Sequence, residues 1–320
     1  NIRLEWDGHV WMQKALIFYN NHEISKLNDT VMPNYPYLGS YIWAFFWKNS
    51  LLELEYFGRY FYVYFYIVSI FLILKVSSIK NGFIKSFLIL FLILITFEPY
   101  YLGGYQEYLI FSTLLIASRY IFLFNSSNLN NIRLIILIFF LLYINCWFKN
   151  EGVIYFVIFS GGLIYFSNIN INKKILFIFM VFLLLLIQYL TQKYLIKNLG
   201  TSEIQYLINS FYSFGDLKFL IIKIFKIFAH SFIAFVKHPL WIIVLLSLFF
   251  QIFILKKIDN NTRYFLVCLI LNIGIIFVVY IGLGNLDLNL RVTLDRVLFQ
   301  TSGFYLVLFF GLFNSQKIKL

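Results

Sequence analysis

The chain has 320 residues, of which 61% are hydrophobic, 22% aromatic and only 12% charged, with a mean hydropathy of +0.82. Those proportions exclude an ordinary soluble globular domain and mark a polytopic membrane protein. The formal charge of +12 does not point to nucleic acid, because the Lys and Arg residues are scattered in short loops between apolar runs, where they act as topology signals and lipid-headgroup contacts.

The apolar runs are continuous rather than alternating, so the reading is an all-α bundle and not a barrel. Cys146 and Cys268 both fall inside apolar runs and read as small hydrophobes, with no disulfide or zinc spacing. The chain starts at Asn1 without a signal peptide, and we expect a first membrane helix to be missing from it.

Residues 1–59 form the one long stretch that a membrane could not absorb, and they read as a first external loop with short interfacial helices. Asp7 opens a helical pattern with Trp11 and Lys14 on one face. It is either the cap of that helix or a carboxylate able to take a proton from a hydroxyl. His9 and His22 lie in the same wet stretch without metal-ligand spacing. Tyr35-Pro36 predicts a rigid extended element, and Tyr41 to Trp47 is too short to span. Ser50-Leu51-Leu52-Glu53 has the form of a capping box, predicting a helix that starts there and runs through Arg59 into the first span.

Membrane helices are predicted near 58–76, 84–98, 107–124, 133–148, 153–168, 174–193, 239–255, 264–283 and 298–315, most of them near the roughly 20 residues needed to cross. The segment 218–237 carries Lys223, Lys226, His230 and Lys237 on one face and reads as an amphipathic helix on the outer surface. The loops holding Lys75, Lys80 and Lys85, then Arg133, Lys173-Lys174, Lys256-Lys257 with Arg263, and Lys317 with Lys319 are basic and therefore cytoplasmic. That arrangement sends Asp7, Tyr35, Glu98, Glu107, Lys149, Glu151, Asp287, Arg291, Asp295 and Arg296 to the opposite face, the expected location of a reaction site.

Each of these groups has a plainer reading. Glu107 follows Gly103-Gly104-Tyr105-Gln106 and opens an apolar helix, where the helix dipole alone favours an acid. Yet Glu98 and Glu107 stand in a loop without Lys or Arg, which makes Glu107 a candidate second carboxylate. Lys149 and Glu151 flank a tight turn and could simply pair with each other; a buried ammonium there would instead attract a phosphate. Arg291 and Arg296 suit an anionic lipid head through the planar guanidinium fork, or ordinary lipid contacts. Gly161-Gly162 reads as helix packing.

The ordered set of Trp6-Asp7, Trp11, Lys14-Ala15, Asn34-Tyr35-Pro36 with Leu38, Gly104-Tyr105 with Glu107, Lys149-Asn150-Glu151-Gly152 and Asp295-Arg296 resembles bacterial members of the GT-C glycosyltransferases. The nearest likeness is to glycosyltransferase family 39, the protein mannosyltransferase and aminoarabinose transferase relatives. The resemblance implies a GT-C-like bundle of about nine or more transmembrane helices in the bacterial inner membrane, with its active site facing the periplasm. It implies transfer of a sugar from a polyprenyl-phosphate donor to a lipid, glycan or protein acceptor. By the same resemblance Asp7 and Glu107 are catalytic, and Lys149, Arg296 and Arg291 hold the lipid phosphate. Tyr35, Glu151 and His9 would position substrate, and a divalent ion, Mg or Mn, would sit at Asp7 and Glu107 if one is used. The alternatives are a transporter or flippase, or a polysaccharide polymerase or ligase, for lipid-linked saccharides. A transporter calls for polar groups near mid-membrane and repeated halves with broken helices, neither of which is evident in the sequence.

Overall fold

Hydrophobic runs of this length leave the backbone only one way to satisfy its own N–H and C=O groups, and every regular element among the described residues is helical. The computed structural model describes residues 4, 6–97, 102–126, 132–167, 169–195, 217–256, 258–283 and 285–313. Glu98, Lys257, Lys317 and Lys319 lie outside them. The helices, in chain order, are α1 (Trp6–Tyr19), α2 (Leu38–Lys48), α3 (Glu55–Ile73), α4 (Gly82–Thr96), α5 (Glu107–Ser126), α6 (Ile132–Tyr143) and α7 (Glu151–Phe166). They continue as α8 (Ile171–Leu195), α9 (Leu217–Lys237), α10 (Pro239–Phe249), α11 (Asn260–Ile281), α12 (Leu286–Val292), α13 (Leu294–Tyr305) and α14 (Val307–Leu312).

Among the described residues, five helical segments are long and apolar enough to cross a membrane: Glu55–Val76, Glu107–Asn125, Ile171–Leu195, Lys218–Lys237 and Asn260–Ile281. The spans expected near 84–98, 133–148, 153–168 and 239–255 are shorter apolar helices. The last expected span, 298–315, is not continuous: its described part divides at Leu306 between α13 and α14. Together these helices suit a multi-pass membrane protein.

Burial separates the centre of the bundle from its rim. The apolar window of α5 is 83% buried, whereas that of α8 is 11% buried. On α8, Ile175, Phe179, Phe182 and Leu186 all point outward. In water so large an apolar face would drive aggregation; in hydrocarbon it is at rest. Around α5 pack α3, α6 and above all α13, where Phe111 and Phe299 stack with centroids 4.9 Å apart. Cys146 and Cys268 are both buried and free, as small hydrophobes should be. Of the glycine pair, Gly162 meets Tyr264 and Cys268 of α11, while nothing lies close to Gly161.

Hydrogen bonds identify the two ends of the bundle. Asn261 at the start of α11 donates to the Phe122 carbonyl near the end of α5, and Ser78 after α3 donates to the Phe313 carbonyl after α14. Gln251 donates to Leu308 and accepts from Thr262 at this same end. The basic loops around Lys75 to Lys85, Lys256 and Arg263 are therefore neighbours. The opposite end collects the starts of α1, α5, α7 and α13.

The capping box does not form. The Ser50 hydroxyl donates back to Trp47 at the end of α2, and Glu53 adopts a left-handed φ of 47°. Its carbonyl accepts the Trp47 indole N–H at 2.8 Å and its carboxylate accepts the Tyr19 hydroxyl at 2.9 Å, so α3 starts only at Glu55. Long-range partners outbid a local signature.

Helix α9 has the length and composition to cross, and its polar contacts fall at one end of the bundle. Lys223 donates to the Ile281 carbonyl at 2.7 Å and Lys226 bridges to Asp287 at 2.9 Å, while Trp241 just beyond it donates to Leu298. All three partners lie where α11 finishes and α13 begins.

Candidate functional site

Four residues separated by up to 289 positions meet at this end, and glycines allow the approach. A Cβ on Gly8 would overlap the Gly103 carbonyl oxygen, so the start of α1 rests directly on the loop before α5. Gly104 takes φ +97°, a conformation disfavoured for other residues, and turns the chain into Glu107. Lys149 is placed by Asn145, whose carboxamide bonds Leu141, Leu142 and Thr113 and whose carbonyl accepts the Lys149 N–H at 3.2 Å. A Cβ on Gly152 would strike that same Asn145 carbonyl, which accounts for the glycine closing the Lys-Asn-Glu-Gly turn.

The Glu107 carboxylate is 0% exposed and forms the floor of the site. Its Oε1 accepts from Lys149 Nζ at 3.0 Å, from Arg296 Nε at 2.9 Å and from Arg296 Nη2 at 2.6 Å. Its Oε2 is buried without a hydrogen-bond partner. The same Arg296 Nη2 reaches Asp7 Oδ2 at 2.6 Å, and the guanidinium stacks 4.2 Å from the centroid of Tyr105. Burial opposes the charge on Arg296, but Glu107 and then Asp7 outweigh it and hold the guanidinium firmly protonated.

The two carboxylates differ in access. The Asp7 side chain is 36% exposed and lines a cavity of about 260 Å³, together with Lys149, Glu151, Tyr35, Arg296 and Gln300. Glu107 lies beneath and touches the cavity only through the two cations. The expectation that Glu107 stands unneutralised is therefore corrected, because Lys149 and Arg296 both compensate it. Lys149 lies 3.9 Å from Glu151 and 3.0 Å from Glu107, so its main partner is not its neighbour in the turn.

Tyr35 and Glu151 line this cavity and also an adjoining groove of about 160 Å³ walled by Ile154, Ile275, Val279 and Leu283. The Tyr35 carbonyl accepts from Lys14 Nζ at 2.5 Å, and its ring meets Trp11 edge-on at 5.7 Å. Lys14 is fully buried, and desolvation lowers its pKa from 10.5 to about 7. Two expected residues are not brought in: His9 and Arg291 are exposed and line neither cavity. Asp287 pairs with Lys226 instead, which holds its carboxyl below the usual range. Asp295 is exposed at the surface, though desolvation by its surroundings raises its pKa.

A divalent ion does not fit here. Arg296 already bridges the two carboxylates that would have to ligate it, and among the described residues no group of three His, Cys, Asp or Glu side chains could hold a metal.

Sequence reasoning missed Tyr105 under the guanidinium, Gln300 beside Tyr155, and Asn272 in the groove. Asn272 carried a usable signal, since it is a polar residue within the apolar run of α11 and corrects the expectation of no polar group inside a span. No protein-family model matches the chain, and neither a curated protein nor a solved structure matches it, so the likeness to GT-C glycosyltransferases rests on the residues quoted above.

Proposed function

We propose that the protein is a membrane glycosyltransferase that moves a sugar from a polyprenyl-phosphate carrier to an acceptor hydroxyl on the non-cytoplasmic face. One observation carries this reading: Asp7, Glu107, Lys149 and Arg296, drawn from four distant segments, share one ion-pair cluster at the wall of a polar cavity that continues into an apolar groove. An amphipathic substrate with a phosphate between sugar and hydrocarbon matches that sequence of surroundings. The basic loops at the far end of the bundle support the orientation, by the positive-inside rule. The contacts of α9 near the site support its lying along the outer surface.

In this reading the cations are held ready by Glu107, which is a positioning residue because it is closed off from the cavity. Arrival of the phosphodiester draws the Arg296 fork and the Lys149 ammonium toward its oxygens, and Arg296 relaxes its hold on Asp7. The freed Asp7 carboxylate takes the proton of the acceptor hydroxyl. The acceptor oxygen bonds to the anomeric carbon as the carbon–oxygen bond to phosphate breaks. The bonding pair leaves on the phosphate, and the configuration at that carbon inverts. Lys149 and Arg296 stabilise the charge that develops on the leaving phosphate, the kind of preorganised electrostatics that dominates many catalysed reactions.

The test is release of free polyprenyl phosphate from a polyprenyl-phosphate sugar radiolabelled in the sugar, in membranes containing the protein. Release and label transfer should depend on the protein and fall at least tenfold in Lys149→Met. Equal turnover in membranes with and without the protein, over a panel of hexose and pentose donors, would contradict the proposal. A transporter reading finds some support in Asn272, but no charged residue lies in mid-helix among the residues lining either cavity.

A further inference from the structure

Below the ion-pair cluster, the apolar groove contains a group that sugar transfer does not use. Asn272 on α11 is 0% exposed and lines the groove, and neither its carboxamide oxygen nor its nitrogen has a hydrogen-bond partner. An amide stripped of water and left unmet is destabilising compared with leucine, a side chain of similar size, unless a bound molecule completes it.

Its depth can be read from the helix pairing. Tyr264 donates to the Phe159 carbonyl and Cys268 approaches that of Ile158, so α7 and α11 run antiparallel. One turn further along α11, Asn272 comes level with Ile154 and Tyr155, one turn below Glu151. The Tyr155 hydroxyl donates to Gln300 at 2.9 Å, which fixes the same level on α13, one turn below Arg296. The amide thus lies about 5 Å below the charged ring, the rise of one helical turn. Ile154, Ile275, Ile276 and Val279 flank it.

A ligand that satisfies this groove has a charged head, an acceptor atom roughly one turn beneath it, and hydrocarbon around and below. A polyprenyl phosphate offers only hydrocarbon at that depth. A lipid with acyl chains places there the ester or amide carbonyl that joins chain to head. We propose that the groove binds the chain of an acylated lipid, with the Asn272 carboxamide donating to that carbonyl. The binding stands independently of catalysis. If the transferase reading also holds, the acceptor is such a lipid, sharing the cavity with the donor.

The assay is competition between ester-linked phosphatidylglycerol and its ether-linked analogue for the purified full-length protein in detergent, read by native mass spectrometry without any sugar donor. The ether lipid keeps head and chains but lacks the carbonyl. Wild-type protein should prefer the ester lipid by about three- to tenfold, the range of one hydrogen bond. Asn272→Leu should abolish the preference while melting no lower than wild type, since it removes an unmet amide. The competition contains no sugar donor and reads binding alone, so failure of the transferase proposal would leave this result unchanged. Equal retention of the two lipids by wild-type protein would overturn the inference and leave Asn272 as a buried amide that no lipid carbonyl meets. Persistence of the preference in Asn272→Leu would also overturn it.

Discussion

Replacing Glu107 by Gln removes one charge and almost no volume, and the structure sets the size of the effect. Glu107 Oε1 is the nearest carboxylate to Lys149, at 3.0 Å, shares Arg296 with Asp7 at 2.6 Å each, and is wholly buried. After the change Arg296 keeps Asp7, but Lys149 is left with Glu151 at 3.9 Å, near the limit of an ion pair. Breaking a buried pair by removing one partner costs about 3–5 kcal/mol, because the other charge stays desolvated. Partial compensation by Asp7 and Glu151 brings the expectation to the lower end, about 3 kcal/mol. Denaturant- or heat-induced unfolding of the purified protein, followed by tryptophan fluorescence, measures it. The sharper readout is the double variant Glu107→Gln with Lys149→Met, which removes the stranded ammonium as well. It should be more stable than the sum of the two single losses by 1 kcal/mol or more, the signature of residues in contact. Strictly additive losses, or a Glu107→Gln protein as stable as wild type, would refute the claim that Glu107 anchors the cations.

Two further predictions concern the scaffold around the site. Gly152→Ala should destabilise by about 1–3 kcal/mol and weaken retention of anionic lipid, because the added methyl meets the Asn145 carbonyl that positions Lys149; unchanged melting and binding would count against that packing. Lys14 makes stability depend on pH, with a sign that follows from its lowered pKa. Below about pH 7 the lysine is charged in both folded and unfolded chains, and its burial penalty is complete. Between about 7 and 10.5 the unfolded chain binds the extra proton, so stability rises with pH. Lys14→Met should flatten that rise, which amounts to a few kcal/mol at about 1.36 kcal/mol per tenfold step. Parallel curves for the two proteins across this range would contradict the assignment.

Helical content and the positions of the apolar helices were legible because hydrocarbon permits few backbone solutions, and runs such as Ile171–Leu195 admit one interpretation. Gathering of Asp7, Glu107, Lys149 and Arg296 at one end was also legible, through the alternation of basic and acidic loops. What the sequence hid were matters of pairing. Nothing local says that Glu107 lies beneath two cations contributed from 42 and 189 residues away, or that Arg291, five residues before Arg296, stays outside. The break at Thr293 accounts for the last case: Arg291 sits in the last turn of α12 and Arg296 in the first turn of α13, so the two side chains belong to different helices. At Ser50 the capping signature lost to Trp47 and Tyr19, whose partners become near only once the chain has folded. Asn272 was legible as an intramembrane polar residue, whereas its lack of a partner appears only in the packed structure.

The central claim is that Asp7 takes the proton from an acceptor in a cavity whose cations hold a lipid phosphate. It is tested most directly by single-turnover sugar transfer from a polyprenyl-phosphate donor, comparing wild type with Asp7→Asn and Arg291→Gln. Loss of a positioned general base should slow Asp7→Asn by about 10²–10⁴-fold, with donor binding retained, while Arg291→Gln transfers at the wild-type rate. Full transfer by Asp7→Asn would contradict the account.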